Sequence, residues 1–135
     1  MTERVLLQPA FVLHARPFRE TSLLVDLLTR DFGRLGAIAR GARSQQSRYR
    51  GHLRSFVPIL ISWSGKSELV SLNQLEASGS PILLEKNSLL AGLYINELIV
   101  RLLHQHDSHP EIFDNYHTSL LTLQKNQEIE PILLK

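Results

Sequence analysis

The first 77 residues read as short apolar runs separated by turn residues at close, fairly even spacing. Val5 to Ala15 contains Phe11, Val12 and Leu13, and Ser22 to Thr29 contains Leu23, Leu24, Val25, Leu27 and Leu28. Asp31-Phe32-Gly33 supplies a turn. Arg34 to Ala39 then sets Leu35, Ala37 and Ala39 against Arg34, Gly36 and Ile38, the alternation of a strand returning onto the one before it. From Leu53 to Trp63 the residues Val57, Ile59, Ile61 and Trp63 share one face, while Pro58 asks for an edge or a bulge. Ser64-Gly65-Lys66-Ser67 reads as a second hairpin turn, ahead of a strand from Glu68 to Glu76. Five short strands in about 75 residues, with a long polar connection between the third and fourth, are what a Greek-key barrel of the OB type requires. A split sandwich or an SH3-like barrel would draw its core from the same alternating residues.

The pattern changes at Ser78-Gly79-Ser80-Pro81, a boundary rich in turn residues. Beyond it, Ser88 can cap a helix from about Leu89 to His104 whose polar residues Asn96, Glu97, Arg101 and His104 form a narrow stripe. The rest of that helix is apolar, which predicts burial on most sides. His109-Pro110 opens a second helix through about Gln124, carrying Ile112, Phe113, Tyr116, Leu120, Leu121 and Leu123, and Glu130-Pro131 reads as the start of a third. The expected fold is therefore α+β: a five-stranded OB-type barrel over residues 1–80, followed by a helical domain over residues 81–135 that reads as incomplete.

Composition narrows the function. A chain of 135 residues that is 43% hydrophobic can bury one ordinary core, which excludes a large multidomain enzyme. It has no cysteine, which excludes disulfides and thiolate metal sites within these residues and fits a reducing cytoplasm. The longest apolar tract, Leu89 to Leu103, is interrupted by Gly92, Asn96, Glu97 and Arg101, so it reads as a core helix and not a membrane span. The apolar stretch at Val5 to Leu7 is too short for a secretory signal, and a soluble intracellular protein is expected.

Charge is the sharper clue. The net charge of +2 hides an asymmetry, because residues 1–80 carry +5 and residues 81–135 carry −3. Arg30, Arg34, Arg40, Arg43, Arg48, Arg50 and Arg54 fall in one stretch against the single carboxylate of Asp31. The arginine fork matches phosphate oxygens, so the stretch reads as a polyanion-binding surface, set against the blander possibility of a solvated loop. Tyr49, between Arg48 and Arg50, is the exposed stacking candidate, whereas Phe56 and Trp63 are assigned to the core. Gly41 and Gly51 bracket the loop and allow its backbone a close approach to a strand.

Other chemistry is weakly represented. His104, His106 and His109 have no accompanying cysteine and read better as imidazoles at a helix C-terminus than as zinc ligands. Ser64-Gly65-Lys66-Ser67 lacks the leading glycine and following helix of a phosphate loop. No nucleophile elbow, dinucleotide fingerprint or acid/base pair is present, so neither an enzyme nor a cofactor is expected.

Four segments, taken in order, carry a family resemblance: Ala10-Phe11-Val12-Leu13-His14-Ala15-Arg16-Pro17; Glu20-Thr21-Ser22-Leu23-Leu24; Gly33-Arg34 followed by Ala39-Arg40-Gly41-Ala42-Arg43-Ser44; and Gly92-Leu93-Tyr94-Ile95-Asn96-Glu97-Leu98. Together they resemble the bacterial recombination mediator RecO. The resemblance implies an N-terminal OB fold with a helical domain, binding of single- and double-stranded DNA, and annealing of strands coated with single-stranded DNA-binding protein. It also implies work with RecR in loading RecA, contact with the C-terminal tail of single-stranded DNA-binding protein, and a cytoplasmic, nucleoid-associated location. Members of the family are longer, and some place a four-cysteine zinc cluster downstream. The residues expected to meet DNA are Arg34, Arg40, Arg43, Arg48, Arg50 and Arg54, with Lys66 on a neighbouring hairpin and Tyr49 for stacking; Arg16 and Arg19 are second-tier, since they can pair with Glu20 or Asp26. A protein-interaction adaptor with an acidic partner and an RNA-binding OB module are the alternatives.

Overall fold

The computed structural model describes residues 4–133 apart from Gln46, Arg48, Arg50 and Lys66, with only the backbone described over 128–133. Five strands come first: β1 (Arg4–Phe18), β2 (Ser22–Thr29), β3 (Gly33–Ala39), β4 (Ile59–Ser64) and β5 (Leu69–Ala77). Two helices follow, α1 (Lys86–Leu102) and α2 (Pro110–Leu133). The strands close into a barrel in the order β1-β2-β3-β5-β4, with β3 and β5 parallel and all other neighbours antiparallel. This is the expected OB-type barrel followed by a helical part.

The barrel interior is built by the alternating residues. On β2 and β3 the inward pairs are Leu23 with Ala39, Val25 with Ala37 and Leu27 with Leu35, and Ile59, Ile61 and Trp63 of β4 complete the same cluster. β4 begins only at Ile59, so the clean alternation from Leu53 overpredicts it. Phe56 there has a left-handed φ of 71° and Pro58 has no N–H to give a ladder.

A second core lies between barrel and helices. Ala10 and Val12 point into the barrel, whereas Phe11 and Leu13, on the opposite face of β1, pack with Phe56, Phe113, Tyr116 and Leu120. The pairing of β1 with β2 slips between Val12 and His14, leaving Leu13 as a bulge. Its freed carbonyl accepts a hydrogen bond from Asn96 Nδ2 (3.3 Å), and Asn96 Oδ1 accepts one from the Tyr116 hydroxyl (2.6 Å). Burial raises the Tyr116 pKa, an effect the Asn96 bond partly opposes, so the hydroxyl stays a donor.

The helices depart from expectation in three ways. α1 starts at Lys86 without a side-chain cap, and Ser88 instead donates to the Leu123 carbonyl (3.4 Å). Asn96, expected on a polar outer stripe, is the pivot of the junction and only 3% exposed, while Leu90, Tyr94 and Leu102 are 66%, 65% and 72% exposed. The buried strip of α1 is narrow because it meets the barrel at Gly92, where a Cβ would stand 2.7 Å from Leu84 Cδ1 and 2.9 Å from Phe56 Cζ. The helix packs on one side only, through Gly92, Asn96 and the half-buried Ile95, Ile99 and Val100. Finally, α2 runs continuously from Pro110 to Leu133, so Glu130-Pro131 does not begin a separate helix. A proline removes one hydrogen bond to the carbonyl four residues back, and here that falls in the last turn.

Candidate nucleic-acid interface

In an OB barrel, the outer face of strands 2 and 3 lies between the turn joining strands 1 and 2 and the turn joining strands 4 and 5. Here the register sets Arg16 beside Leu24, Leu24 beside Ile38 and Ile38 beside Ser71, one cross-strand row on that face. Phe18 and Ser22 form the pair at the turn end, and Arg40 follows β3 with its Nη1 donating to Ser71 Oγ (3.0 Å). Leu24 and Ile38 are partly exposed. The face is thus a shallow apolar floor with guanidinium groups along its edge.

The β1–β2 turn is three residues, Arg19 to Thr21, and Arg19 has a left-handed φ of 56°, a conformation that costs a non-glycine residue about 1–2 kcal/mol. Arg43 holds it there. Its side chain donates to the carbonyls of Arg19 (2.6 Å), Glu20 (2.5 Å) and Ser22 (3.1 Å), and its backbone N–H donates to the Thr21 carbonyl (2.8 Å). Four successive carbonyls therefore accept from one residue. Three of the five guanidinium N–H groups are committed to this clamp, so the side chain expected to contact phosphate also braces the turn.

Arg34 is committed as well. Its Nη1 bonds both carboxylate oxygens of Asp26 (3.0 and 2.9 Å) and its Nε donates to the Leu103 carbonyl (2.9 Å), with the side chain 14% exposed. The DNA contact expected of Arg34 thus falls on a side chain that is largely buried and already holds a carboxylate and a carbonyl. Arg30 spans to α2, pairing with Asp114 (3.0 Å) and with Asp31 (3.3 Å). The Arg30 guanidinium holds the Asp114 carboxyl below its ordinary range, chiefly through their hydrogen bond.

Tyr49 is corrected from an exposed stacking candidate to a buried residue. It is 4% exposed inside the barrel cluster, and its hydroxyl donates to the Leu72 carbonyl (3.3 Å). Among the described residues between Arg40 and Pro58, short turns close at Ala42, Ser44, Ser47 and His52, and Ala42, Tyr49 and Leu53 are buried. Arg54 is exposed, with Nε donating to the Gly51 carbonyl (3.1 Å), and lines a different groove with Ile82, Leu83, Leu89 and Leu93. Arg48, Arg50 and Lys66 lie outside the described residues.

Arg16, Arg19 and Arg40 are exposed, and among the described residues none of the three is ion-paired with a carboxylate. On sequence alone Arg16 and Arg19 stand second to the loop arginines, and Phe18 has no role. The available signal was the spacing of two between Arg16 and Phe18, which places both on one face of a strand. Of the histidines, His109 sits at the N-terminus of α2 and not at the end of α1, 3.2 Å from Asp107 Oδ2 and 3.5 Å from Glu111 Oε1. These carboxylates, Asp107 first, raise its pKa above the ordinary imidazole value. Among the described residues no group of histidine and carboxylate side chains is gathered to hold a metal ion, and no helix is long and apolar enough to cross a membrane.

Two family models match. Recombination protein O N terminal covers residues 1–81, and Recombination protein O C terminal covers residues 85–134. DNA repair protein RecO of Coxiella burnetii (strain RSA 493 / Nine Mile phase I) is 52% identical over 120 residues, spanning 89% of this chain and 52% of that protein. DNA repair protein RecO of Methylococcus capsulatus is 47% identical over 130 residues, spanning 96% and 54%. DNA repair protein RecO of Alkalilimnicola ehrlichii is 50% identical over 118 residues, spanning 87% and 47%. The chain spans about half the length of the curated relatives it matches. It belongs to the recombination protein O family.

Proposed function

We propose that this chain is the DNA-engaging part of a recombination mediator, and that it binds single-stranded DNA along the outer β2–β3 face without catalysis of its own. The observation that carries the reading is the clustering of Arg16, Arg19 and Arg40, free of carboxylate partners among the described residues, around the apolar floor of Leu24 and Ile38. A cationic edge beside an apolar floor suits a single strand, because its bases are unpaired and apolar on their faces while its phosphates stay charged. Family membership supports the same reading through relatives named DNA repair proteins. On this view residues 1–80 form the DNA-binding domain and 81–135 part of a helical domain. Strand annealing, and work with RecR, single-stranded DNA-binding protein and RecA, belong to the whole mediator, in the cytoplasm at the nucleoid.

The test is a salt titration of oligonucleotide binding by the 135-residue chain and by a variant with Arg16, Arg19 and Arg40 changed to alanine. Each lost phosphate contact should reduce the magnitude of the log–log slope by about 0.7 for a single strand, hence about 2 for the triple variant. An unchanged slope would refute this face as the DNA path.

A second reading, a protein-interaction adaptor, draws on the other groove. Arg54 there borders Ile82, Leu83, Leu89 and Leu93, a cation beside apolar surface that suits an acidic, apolar peptide such as the tail of single-stranded DNA-binding protein. Stronger binding of that peptide than of DNA at every salt concentration would favour the adaptor.

A further inference from the structure

We propose that the groove between the β1–β2 turn and the end of β3 is a single-nucleotide subsite, in which Phe18 stacks a base and Arg19 and Arg40 take the flanking phosphates. The inference rests on the outer β2–β3 face being the DNA path and gives that path one fixed station.

The groove has a volume of about 590 Å³, within the ~300–1,000 Å³ typical of small-ligand clefts, and Phe18, Arg19, Ser22, Ile38 and Arg40 are among its lining residues. Phe18 is partly exposed, and the Arg19 guanidinium lies over its ring with Cζ 5.0 Å from the centroid. In the free protein that ring face therefore already receives a flat, delocalised cation. A nucleobase is also flat and can occupy the same face. Its arrival would release the guanidinium toward the phosphate of the same nucleotide, so one displacement would create both contacts.

Arg40 offers the second. Its present partner is the neutral Ser71 hydroxyl at 3.0 Å, and a phosphate oxygen makes a stronger, charge-assisted bond with the same N–H. Glu20 also lines the groove, and against two guanidinium groups it leaves the lining at +1. The turn that presents Phe18 and Arg19 is held by the four carbonyl bonds of Arg43, so the platform is built before the ligand arrives. Paired bases in a duplex cannot enter, and the subsite is therefore selective for single strands.

The experiment uses the 135-residue chain with Phe18→Ala and Phe18→Trp, an oligo(dT) ligand, and arms with oligo(U), duplex DNA and inorganic phosphate. Native Trp63 is buried, so the wild-type emission provides a baseline for the introduced indole. Phe18→Ala should lose about tenfold in oligo(dT) affinity with the salt slope unchanged, since a stacking contact carries no counterion. Phe18→Trp should retain affinity, and its added emission should be quenched by oligo(dT) but not by inorganic phosphate or duplex. Equal quenching by oligo(U) would support the subsite and identify its ligand as any single strand. Oligo(dT) affinity within about twofold of wild type in Phe18→Ala, against the larger stacking loss expected, would overturn the subsite while leaving the DNA path standing. So would unchanged indole emission at saturation. No oligonucleotide binding by wild type would overturn both. If Phe18→Ala fails to fold, Phe18→Leu, which keeps bulk but loses the π face, reads the same affinity.

Discussion

Replacing Arg43 by alanine separates a brace from a phosphate ligand, because the two roles predict opposite results in two assays. The side chain gives three hydrogen bonds to main-chain carbonyls, at 2.6, 2.5 and 3.1 Å. A charged donor can contribute about 1.5–3 kcal/mol per bond where the alternative is an unpaired buried group. Arg43 is exposed and water can replace it at each carbonyl, so about 0.5 kcal/mol per bond, ~1.5 kcal/mol in all, is the reasonable figure. For a chain of this size that corresponds to a fall of about 5–7 °C in Tm, followed by circular dichroism. An exposed arginine that only awaits a phosphate would change stability by no more than about 0.5 kcal/mol. In single-strand titrations Arg43→Ala should weaken affinity severalfold, through loosening of the turn at Arg19, and leave the salt slope within about 0.3 of wild type. A Tm shift under about 1 °C together with a slope reduced by about 0.7 would refute the clamp and restore Arg43 as a direct contact.

Three further outcomes follow from other parts of the molecule. Asn96→Ala leaves the Tyr116 hydroxyl and the Leu13 carbonyl buried without their partner and should cost about 2–4 kcal/mol in urea unfolding, against about 1 kcal/mol for Tyr116→Phe; equal costs would show that the Leu13 bond contributes nothing. Gly92→Ala gains about 1 kcal/mol of helix propensity but drives a Cβ against Leu84 and Phe56, an overpacking of about 1–3 kcal/mol, so net destabilisation is expected and a stabilised variant would show that α1 can move outward without penalty. His109 is raised above the ordinary 6.5 by Asp107 and Glu111, so its contribution is fully present below about pH 6.5 and is lost as pH rises through the higher folded value. The Tm difference between wild type and His109→Gln should therefore be larger near pH 6 than near pH 8.5; a difference independent of pH would refute the ion pairs.

The barrel was legible in the sequence because its strands are buried on the inner face alone, or on both faces by different neighbours, and either arrangement leaves a readable run of apolar residues. Leu23, Val25 and Leu27 on β2 and Leu35, Ala37 and Ala39 on β3 show the first case, and Phe11 to Leu13 on β1 the second. The helices were less legible for a physical reason. A periodic apolar pattern reports which residues avoid water somewhere, not which neighbour covers them, and the two buried residues of α1 are its glycine, Gly92, and Asn96. Neither Gly92 nor Asn96 carries a hydrophobic signal, yet the pair defines the contact: glycine sets the distance and asparagine satisfies the carbonyl exposed by the Leu13 bulge.

The site illustrates how charge density in a sequence differs from charge available at a surface. Counting guanidinium groups between Arg30 and Arg54 treats them as equivalent, but a guanidinium has five donors and a folding chain offers it carbonyls and carboxylates within reach. Arg30 and Arg34 meet Asp114 and Asp26, partners 84 and 8 residues away, and Arg43 meets a turn more than twenty residues earlier. Only the register reveals those distances. Arg16, Arg19 and Arg40 have no carboxylate partner among the described residues: Arg16 lies in the row of Leu24, Ile38 and Ser71, Arg19 stands in the adjoining turn over the Phe18 ring, and Arg40 meets the Ser71 hydroxyl. The same register puts Asp26 beside Gly36, one row along the face, where Arg34 neutralises it; without that pair a carboxylate would repel the passing phosphates. Arg34→Ala should therefore weaken single-strand binding although it removes no phosphate contact, and Arg34→Ala with Asp26→Asn should restore part of the loss. A double variant no better than Arg34→Ala alone would return Arg34 to the DNA-contacting set.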